Sequence, residues 1–239
     1  LLVEFIFFII SVYYLIKEDG IIFKINISYI KDILKYGLPL IPHSIGITLL
    51  AFSDKLILNN LSGLEDVGIL SVAIGVASML SILFIPIDNL INPFVFKFFK
   101  NPTKFGEEIY MTSFIVYFIV ISFFGFLLYL VTPIIFSFYI GESFLEAADY
   151  VGLLIFGRVS YAMYRYMVKA IFFSKRTYLV SISTVVSGSI GLVLQYYLIS
   201  YYGIVGAAVA ISISYAISFL MVMYFSCKIF PMPWKRAPY

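Results

Sequence analysis

The sequence is poor in charged residues and in the side chains that most catalytic and metal sites use. Only 12% of its 239 residues are charged, and it has one cysteine and one histidine. A single cysteine excludes an internal disulfide bond and a multi-cysteine metal site. It has no glycine-rich phosphate loop, paired-histidine motif or nucleophile elbow. We therefore predict a protein that is not an enzyme and that uses no metal and no cofactor.

Apolar residues take the place of the missing charges. They make up 62% of the chain and give a mean hydropathy of +1.04, whereas soluble domains are roughly 45–50% apolar. The chain is therefore expected to be embedded in a lipid bilayer. A net charge of +3 is too small to indicate a nucleic-acid partner. The chain starts at Leu1 inside an apolar run with no basic region before it, which favours a fragment or processed product over a signal peptide.

Apolar segments long enough to cross a bilayer recur along the whole chain. A spanning helix needs about 20 mostly apolar residues, and six complete segments qualify after a shorter first one, which we interpret as truncated. The six cover residues 37–59, 67–96, 108–131, 148–173, 177–199 and 204–227, and the short one covers 1–16. We predict an all-α, polytopic membrane helix bundle of about six complete transmembrane helices plus a truncated first one. Residues 22–36 are predicted to form an amphipathic helix on the membrane surface.

The basic residues outside the predicted spans fall in alternate loops only. The loops on one side of the predicted membrane have no basic residue. The other side has twelve: Lys17, Lys24, Lys31, Lys35, Lys97, Lys100, Lys104, Lys175, Arg176, Lys228, Lys235 and Arg236. The opposite loops carry acids such as Glu65 and Glu142. By the positive-inside rule, the basic side and the C-terminus are predicted to be cytoplasmic.

Small residues spaced by four mark the faces where membrane helices approach closely. Three such stripes occur, and we interpret them as packing seams: Gly206, Ala210, Ser214 and Ser218; Ser183, Ser187 and Gly191; Ala73, Ala77 and Ser81.

Six ionisable residues lie inside predicted spans, where each costs at least ~2.5–3.5 kcal/mol to insert. They are Asp54, Lys55, Asp88, Arg158, Arg165 and Lys169. Arg165 and Lys169 follow Arg158 by seven and eleven residues, which places them within about 20° of it around a helix. This face is predicted to line the bundle interior or a hydrated cavity, although Lys169 could instead reach the inner headgroups.

Two interpretations of these charges remain open. In the first, ion pairs hold the bundle together, with Asp54 facing Arg158 and Asp88 facing Arg165 or Lys169. In the second, a cationic cavity takes an anionic ligand, and the carboxylates hold the cavity open or accept a coupling ion. His43 is expected to be a hydrogen-bonded interface residue rather than a proton relay.

Six motifs are distinctive: LKYGLPLIPH at 34–43, SDK at 53–55, LEDVGILSVA at 64–73, NP at 92–93, YIGESF at 139–144 and YGIVGAA at 202–208. Together they resemble the C-terminal half of bacterial polysaccharide (O-antigen, Wzx-type) flippases, which belong to the multidrug/oligosaccharidyl-lipid/polysaccharide exporter superfamily. The family often has Ser-Asp-Arg where this chain has Lys55, which keeps the charge but not the planar fork of arginine.

The resemblance implies two six-helix lobes around a central cationic cavity. Residues 1–16 would then be the truncated last helix of the N-terminal lobe, 17–36 a cytoplasmic linker, 37–227 the C-terminal lobe and 228–239 a cytoplasmic tail. The implied partners are a lipid-linked oligosaccharide with its anionic pyrophosphate, the bilayer, the missing N-terminal lobe and other polysaccharide-assembly membrane proteins.

The function this predicts is translocation of undecaprenyl-pyrophosphate-linked oligosaccharide across the bacterial cytoplasmic membrane by alternating access. Arg158, Arg165, Lys55 and Lys169 are the expected substrate-binding residues, with Asp54 and Asp88 for coupling or charge pairing. A cation-coupled drug antiporter of the same fold would need carboxylates facing its cavity. A polysaccharide polymerase or acyltransferase would need a large outward catalytic loop.

Overall fold

A computed structural model describes residues 2–18, 27–101 and 103–230. Over these residues the chain is helical and has no strand, which confirms the predicted all-α polytopic bundle. The helices are α1 (Leu2–Glu18), α2 (Ile27–Gly37), α3 (Leu40–Ser62), α4 (Leu64–Ser78), α5 (Ser81–Lys100), α6 (Lys104–Tyr139), α7 (Ala148–Phe173) and α8 (Tyr178–Ile229), with a 3-10 helix at Glu142–Ala147. The chain divides into two units, residues 1–35 and 36–239.

The first unit contains α1 and most of α2. The described side chains of α1 are mostly apolar and exposed, as in Phe5 and Phe7, and α2 buries none of its residues. The helix predicted over 22–36 is present from Ile27 onward, and its place on the membrane surface stays a prediction. Residues 19–26 and 231–239, which include Lys24, Lys235 and Arg236, lie outside the described residues.

The number of membrane crossings follows from four long apolar stretches and one charged helix. Residues 27–62, 64–100, 104–139 and 178–229 are long and apolar enough to span a bilayer. The last stretch has 52 residues and leaves helical geometry at Gly203, so it supplies two spans. Helix α7 has 26 residues and carries the charged face. Counting α7 and both halves of α8 gives the six complete spans that the sequence predicts.

The third predicted span, 67–96, is divided in the structure. Helices α4 and α5 meet at a turn where Met79 and Leu80 donate backbone hydrogen bonds three residues back, to Val76 and Ala77. Prolines inside the helices do not end them. Helix α5 continues past Pro93 to Lys100, and α6 continues past Pro133 to Tyr139. Proline removes one backbone donor, and one lost hydrogen bond does not stop a helix that is packed along its length.

Helix α8 forms an antiparallel helical hairpin that turns at Gly203, whose φ is 53° and ψ is −130°. Ser218 donates a hydrogen bond to Ser187 at 2.7 Å, and a Cβ added to Gly191 would lie 2.5 Å from Ser214 Oγ. The paired residues therefore run in opposite order along the two halves of α8: Ser187 meets Ser218, and Gly191, four residues later, meets Ser214, four residues earlier. The structure brings two of the small-residue stripes together at this seam.

Helix α7 lies at the centre of the second unit and contacts α4, α5, α6 and α8. Two apolar clusters share it. One surrounds Phe84, Tyr166 and Met167, and the other surrounds Leu70 and Val151. Packing of α7 on several sides buries Lys169 and partly buries Arg158 and Arg165, so each of these cations needs a polar partner or a cavity.

Candidate functional site

Arg158 is half-buried near the middle of α7. Its Nη2 donates a hydrogen bond to Ser78 Oγ at 2.5 Å, and Ser78 in turn donates to the carbonyl of Ile74. The guanidinium carbon lies 5.9 Å from the centre of the Tyr215 ring, within the range of a cation–π contact. Among the residues that the structure describes, no acid forms an ion pair with Arg158. Its positive charge is held in place but not neutralised.

Arg165 and Lys169 lie on the same face, nearer the C-terminal end of α7, and both contact Asp88 of α5. Arg165 donates to Asp88 Oδ2 through Nε at 3.1 Å and through Nη2 at 2.9 Å. Lys169 Nζ lies 2.5 Å from Asp88 Oδ1. Asp88 is 2% exposed and Lys169 is 5% exposed. These three residues, the Asp88 triad, join α5 to α7 and carry one net positive charge.

Asp54 and Lys55 lie on α3, and their surroundings differ. Asp54 is 4% exposed, and its Oδ1 accepts the backbone N–H of Lys55 at 2.8 Å. Lys55 is only partly buried. Ser53 donates to Oε1 of Gln195 at 2.7 Å, which fixes this part of α3 against α8. Asp54 forms no ion pair with Arg158, so the pairing considered from the sequence is absent between these two described residues.

A cavity of about 290 Å³ lies among α3, α4, α7 and α8, and it contains three of the six intramembrane charges. Asp54, Lys55 and Arg158 line it, together with Ile47, Leu50, Ala51, Ile74, Leu154, Tyr161, Tyr164, Thr184, Gln195, Ile211, Ser214, Tyr215 and Ser218. Two cations and one carboxylate give its wall a formal charge of +1. Arg165 and Lys169 are not among its lining residues. The predicted cationic face is therefore divided. Arg158 lines the cavity, whereas Arg165 and Lys169 form ion pairs with Asp88.

Tyrosine rings form one wall of the cavity. Tyr161 stacks on Tyr164 with the ring planes 12° apart, and its centre lies 5.3 Å from that of Tyr215. Helical spacing alone places Tyr161 and Tyr164 beside the basic face of α7, but it does not bring Tyr215 and Gln195 of α8 to the same cavity. One signal could have found Tyr215, since it directly follows Ser214 of a packing stripe.

His43 has the interface role that its place in the sequence suggested. Its Nδ1 lies 2.5 Å from Thr184 Oγ1, so the ring joins α3 to α8 through a hydrogen bond. Thr184 also lines the cavity. In the part of the chain that the structure describes, no group of three or more His, Cys, Asp or Glu side chains is arranged to hold a metal ion.

The fold and the cavity define a polytopic membrane protein whose helix bundle contains a cavity lined in part by charged side chains. Residues 1–99 match the family model of polysaccharide biosynthesis proteins, and for this part of the chain the match supports that family. It includes Asp54, Lys55 and Asp88, whereas the α7 charges lie beyond it. No match was found among curated proteins or solved structures.

Proposed function

We propose that the chain is the C-terminal lobe of a flippase that moves undecaprenyl-pyrophosphate-linked oligosaccharide across the bacterial cytoplasmic membrane. The observation that carries the proposal is the cavity beside Arg158. A cation without an acid partner is costly inside a bilayer and is typical of a functional site. An anionic group seated in the cavity would offset that cost. The match of residues 1–99 to polysaccharide biosynthesis proteins supports a glycan as the cargo.

The cavity wall suits a glycan that carries acidic groups. The guanidinium of Arg158 donates hydrogen bonds in a planar fork that fits phosphate or carboxylate oxygens, while Lys55 adds a point charge. The rings of Tyr161 and Tyr215 offer apolar faces, and Gln195 offers an amide that binds hydroxyl groups. The polyprenyl tail would stay in lipid outside the bundle.

Arg165 and Lys169 have a different role in this conformation. Both are held by Asp88, so their predicted contact with substrate requires the Asp88 triad to open. Alternating access offers such a step, because the lobe would change its packing as the cavity faces first one side and then the other. The N-terminal lobe would supply the opposite wall of the transport path.

A flipping assay tests the proposal. The chain is reconstituted with its N-terminal lobe in proteoliposomes, and transfer of a fluorescent pyrophosphate-linked glycan between leaflets is measured. We expect Arg158→Gln to slow transfer about 10- to 100-fold, because a hydrogen bond to a charged group is worth about 1.5–3 kcal/mol. Arg176→Gln is the matched control, since Arg176 is exposed in the loop before α8. Equal rates for the two variants would remove Arg158 from the mechanism.

Asp54 provides the one observation in favour of the cation-coupled drug antiporter, because it places a carboxylate in the cavity wall. An antiporter would export cationic dyes in a way that depends on Asp54 and not on Arg158. Dye efflux from the same proteoliposomes separates the two functions. Efflux lost in Asp54→Asn and retained in Arg158→Gln would favour the antiporter.

A further inference from the structure

Two opposite charges line one small cavity and do not pair with each other. Asp54 on α3 and Arg158 on α7 both belong to the cavity wall, yet Arg158 donates to Ser78 and Asp54 accepts the N–H of Lys55. Ligand pockets usually measure about 300–1,000 Å³, and this cavity of about 290 Å³ is at the small end. An anion bound to Arg158 would therefore share a confined space with the Asp54 carboxylate.

The two buried carboxylates among the described residues differ in what holds their charge. Asp88 contacts two cationic side chains, Arg165 and Lys169. Asp54 has no ion pair with Arg158, and the hydrogen bonds that its carboxylate accepts come from backbone N–H groups. Of the two, Asp54 is the carboxylate whose charge is free to change with the contents of the cavity.

We propose that Asp54 takes up one proton when an anionic group binds at Arg158, so that the cavity loads an anion and a proton together. This rests on the proposed function, because it assigns the coupling ion of that same site. An ionised Asp54 would repel the anion, whereas the neutral carboxyl removes the repulsion and offers an O–H donor to it. By linkage, the anion raises the affinity of Asp54 for its proton by the same factor.

The other groups that face the cavity do not take up the proton in place of Asp54. The titratable or charged groups around the cavity are Lys55 on α3, Arg158, Tyr161 and Tyr164 on α7, and Tyr215 on α8. Lysine, arginine and tyrosine side chains keep their protons near neutral pH, and α4 contributes only Ile74 to the lining. The single histidine, His43, is not a lining residue, and its Nδ1 is hydrogen-bonded to Thr184. Proton uptake on anion binding near neutral pH is therefore assigned to Asp54.

Calorimetry on the full 239-residue chain in nanodiscs tests this coupling. D-glucuronate represents an acidic sugar and inorganic pyrophosphate represents the lipid-linked group, with D-glucose as a neutral control. Titrations in buffers of different ionisation enthalpy count the protons taken up. For the anion that binds, we expect about one proton per ligand and a Kd that rises about tenfold per pH unit over the range where Asp54 titrates, as one linked proton requires. D-glucose should take up no proton.

Variants separate this inference from the proposed function. Asp54→Asn should bind the anion with a Kd that no longer depends on pH, and Ser53→Ala should keep the dependence. An unchanged pH dependence in Asp54→Asn, or no proton uptake by the wild-type protein, would overturn the coupling and leave the cavity's function standing. Unchanged binding in Arg158→Gln, or no binding of either anion by the wild type, would overturn the proposed function. With D-glucuronate, whose carboxyl is already ionised near neutral pH, the wild-type proton count decides the coupling even if Asp54→Asn does not fold.

Discussion

Asp88 holds one negative charge between two positive side chains, so losing it differs from losing one of its partners. In Asp88→Asn, Lys169 keeps its buried charge without a counter-ion, and removing one partner of a buried pair costs about 3–5 kcal/mol. In Lys169→Met, the Asp88–Arg165 pair remains and a buried charge disappears, so we expect a much smaller loss. Thermal unfolding in detergent measures both.

Asp32→Asn is the control for this comparison, because Asp32 is exposed on α2 and its loss should leave the melting temperature unchanged. If Lys169→Met destabilised the protein as much as Asp88→Asn, the triad would act through packing rather than charge.

The sequence predicted the positions of these charges and offered Asp88 as a partner of Arg165 or Lys169, but it did not predict Ser78 as the partner of Arg158. Helical periodicity alone places Arg158, Arg165 and Lys169 on one face. The contacts that they make depend on which side chains of α4 and α5 face α7. Ser78 accepts a hydrogen bond from Arg158, and Asp88 contacts Arg165 and Lys169. That choice is set by the packing of α4 and α5, which periodicity within α7 does not contain.

At the scale of elements, α7 and α8 depend on a close approach at Gly157. A Cβ added there would lie 2.9 Å from Ser212 Oγ and 3.0 Å from Ser212 Cα. Because the second atom is backbone, Gly157→Ala should push the helices apart and cost about 1–3 kcal/mol. The measurement is the melting temperature of the purified protein.

Gly75 offers the matched control, since a Cβ added to this α4 residue meets nothing within 4 Å. Gly75→Ala should leave stability unchanged or raise it by about 0.5–1 kcal/mol, because alanine favours a helix. Equal effects of the two substitutions would show that helix propensity, and not the α7–α8 contact, determines the response.

Element boundaries were predictable where a polar or glycine-containing break interrupts apolar sequence. The separation of the last two spans at Gly203 is an example, and the structure turns there. Boundaries set by tertiary packing were not predictable. The α4–α5 turn at Met79 lies in a long apolar segment with only Ser78 and Ser81 beside it, and α5 continues past Pro93 to Lys100.

For the whole molecule, the bundle and its number of spans could be predicted because lipid requires every backbone group to bond within a helix. The cavity could not, since it exists only where four helices meet. It also takes residues from distant parts of the chain, such as Asp54 and Tyr215.

The orientation of the bundle gives the last prediction. Asn101 and Ser143 are exposed at opposite ends of α6, and Asn101 lies on the side with the basic residues. Single cysteines at these two positions, in a Cys227→Ser background, are treated with a membrane-impermeant thiol reagent in intact bacterial cells with a permeable outer layer. We expect Ser143→Cys to react at once and Asn101→Cys to react only after the membrane is opened.

The physical reason is the cost of moving lysines across the membrane during insertion, which retains basic loops in the cytoplasm. Lys97, Lys100 and Lys104 surround Asn101, whereas the segment around Ser143 carries Glu142 and Glu146 instead. The reverse labelling would place these lysines outside. The C-terminal end of α7, which carries Lys169, would then face outward. An anion and a proton from the cytoplasm would have to reach the cavity from the opposite end of the bundle, near Glu142.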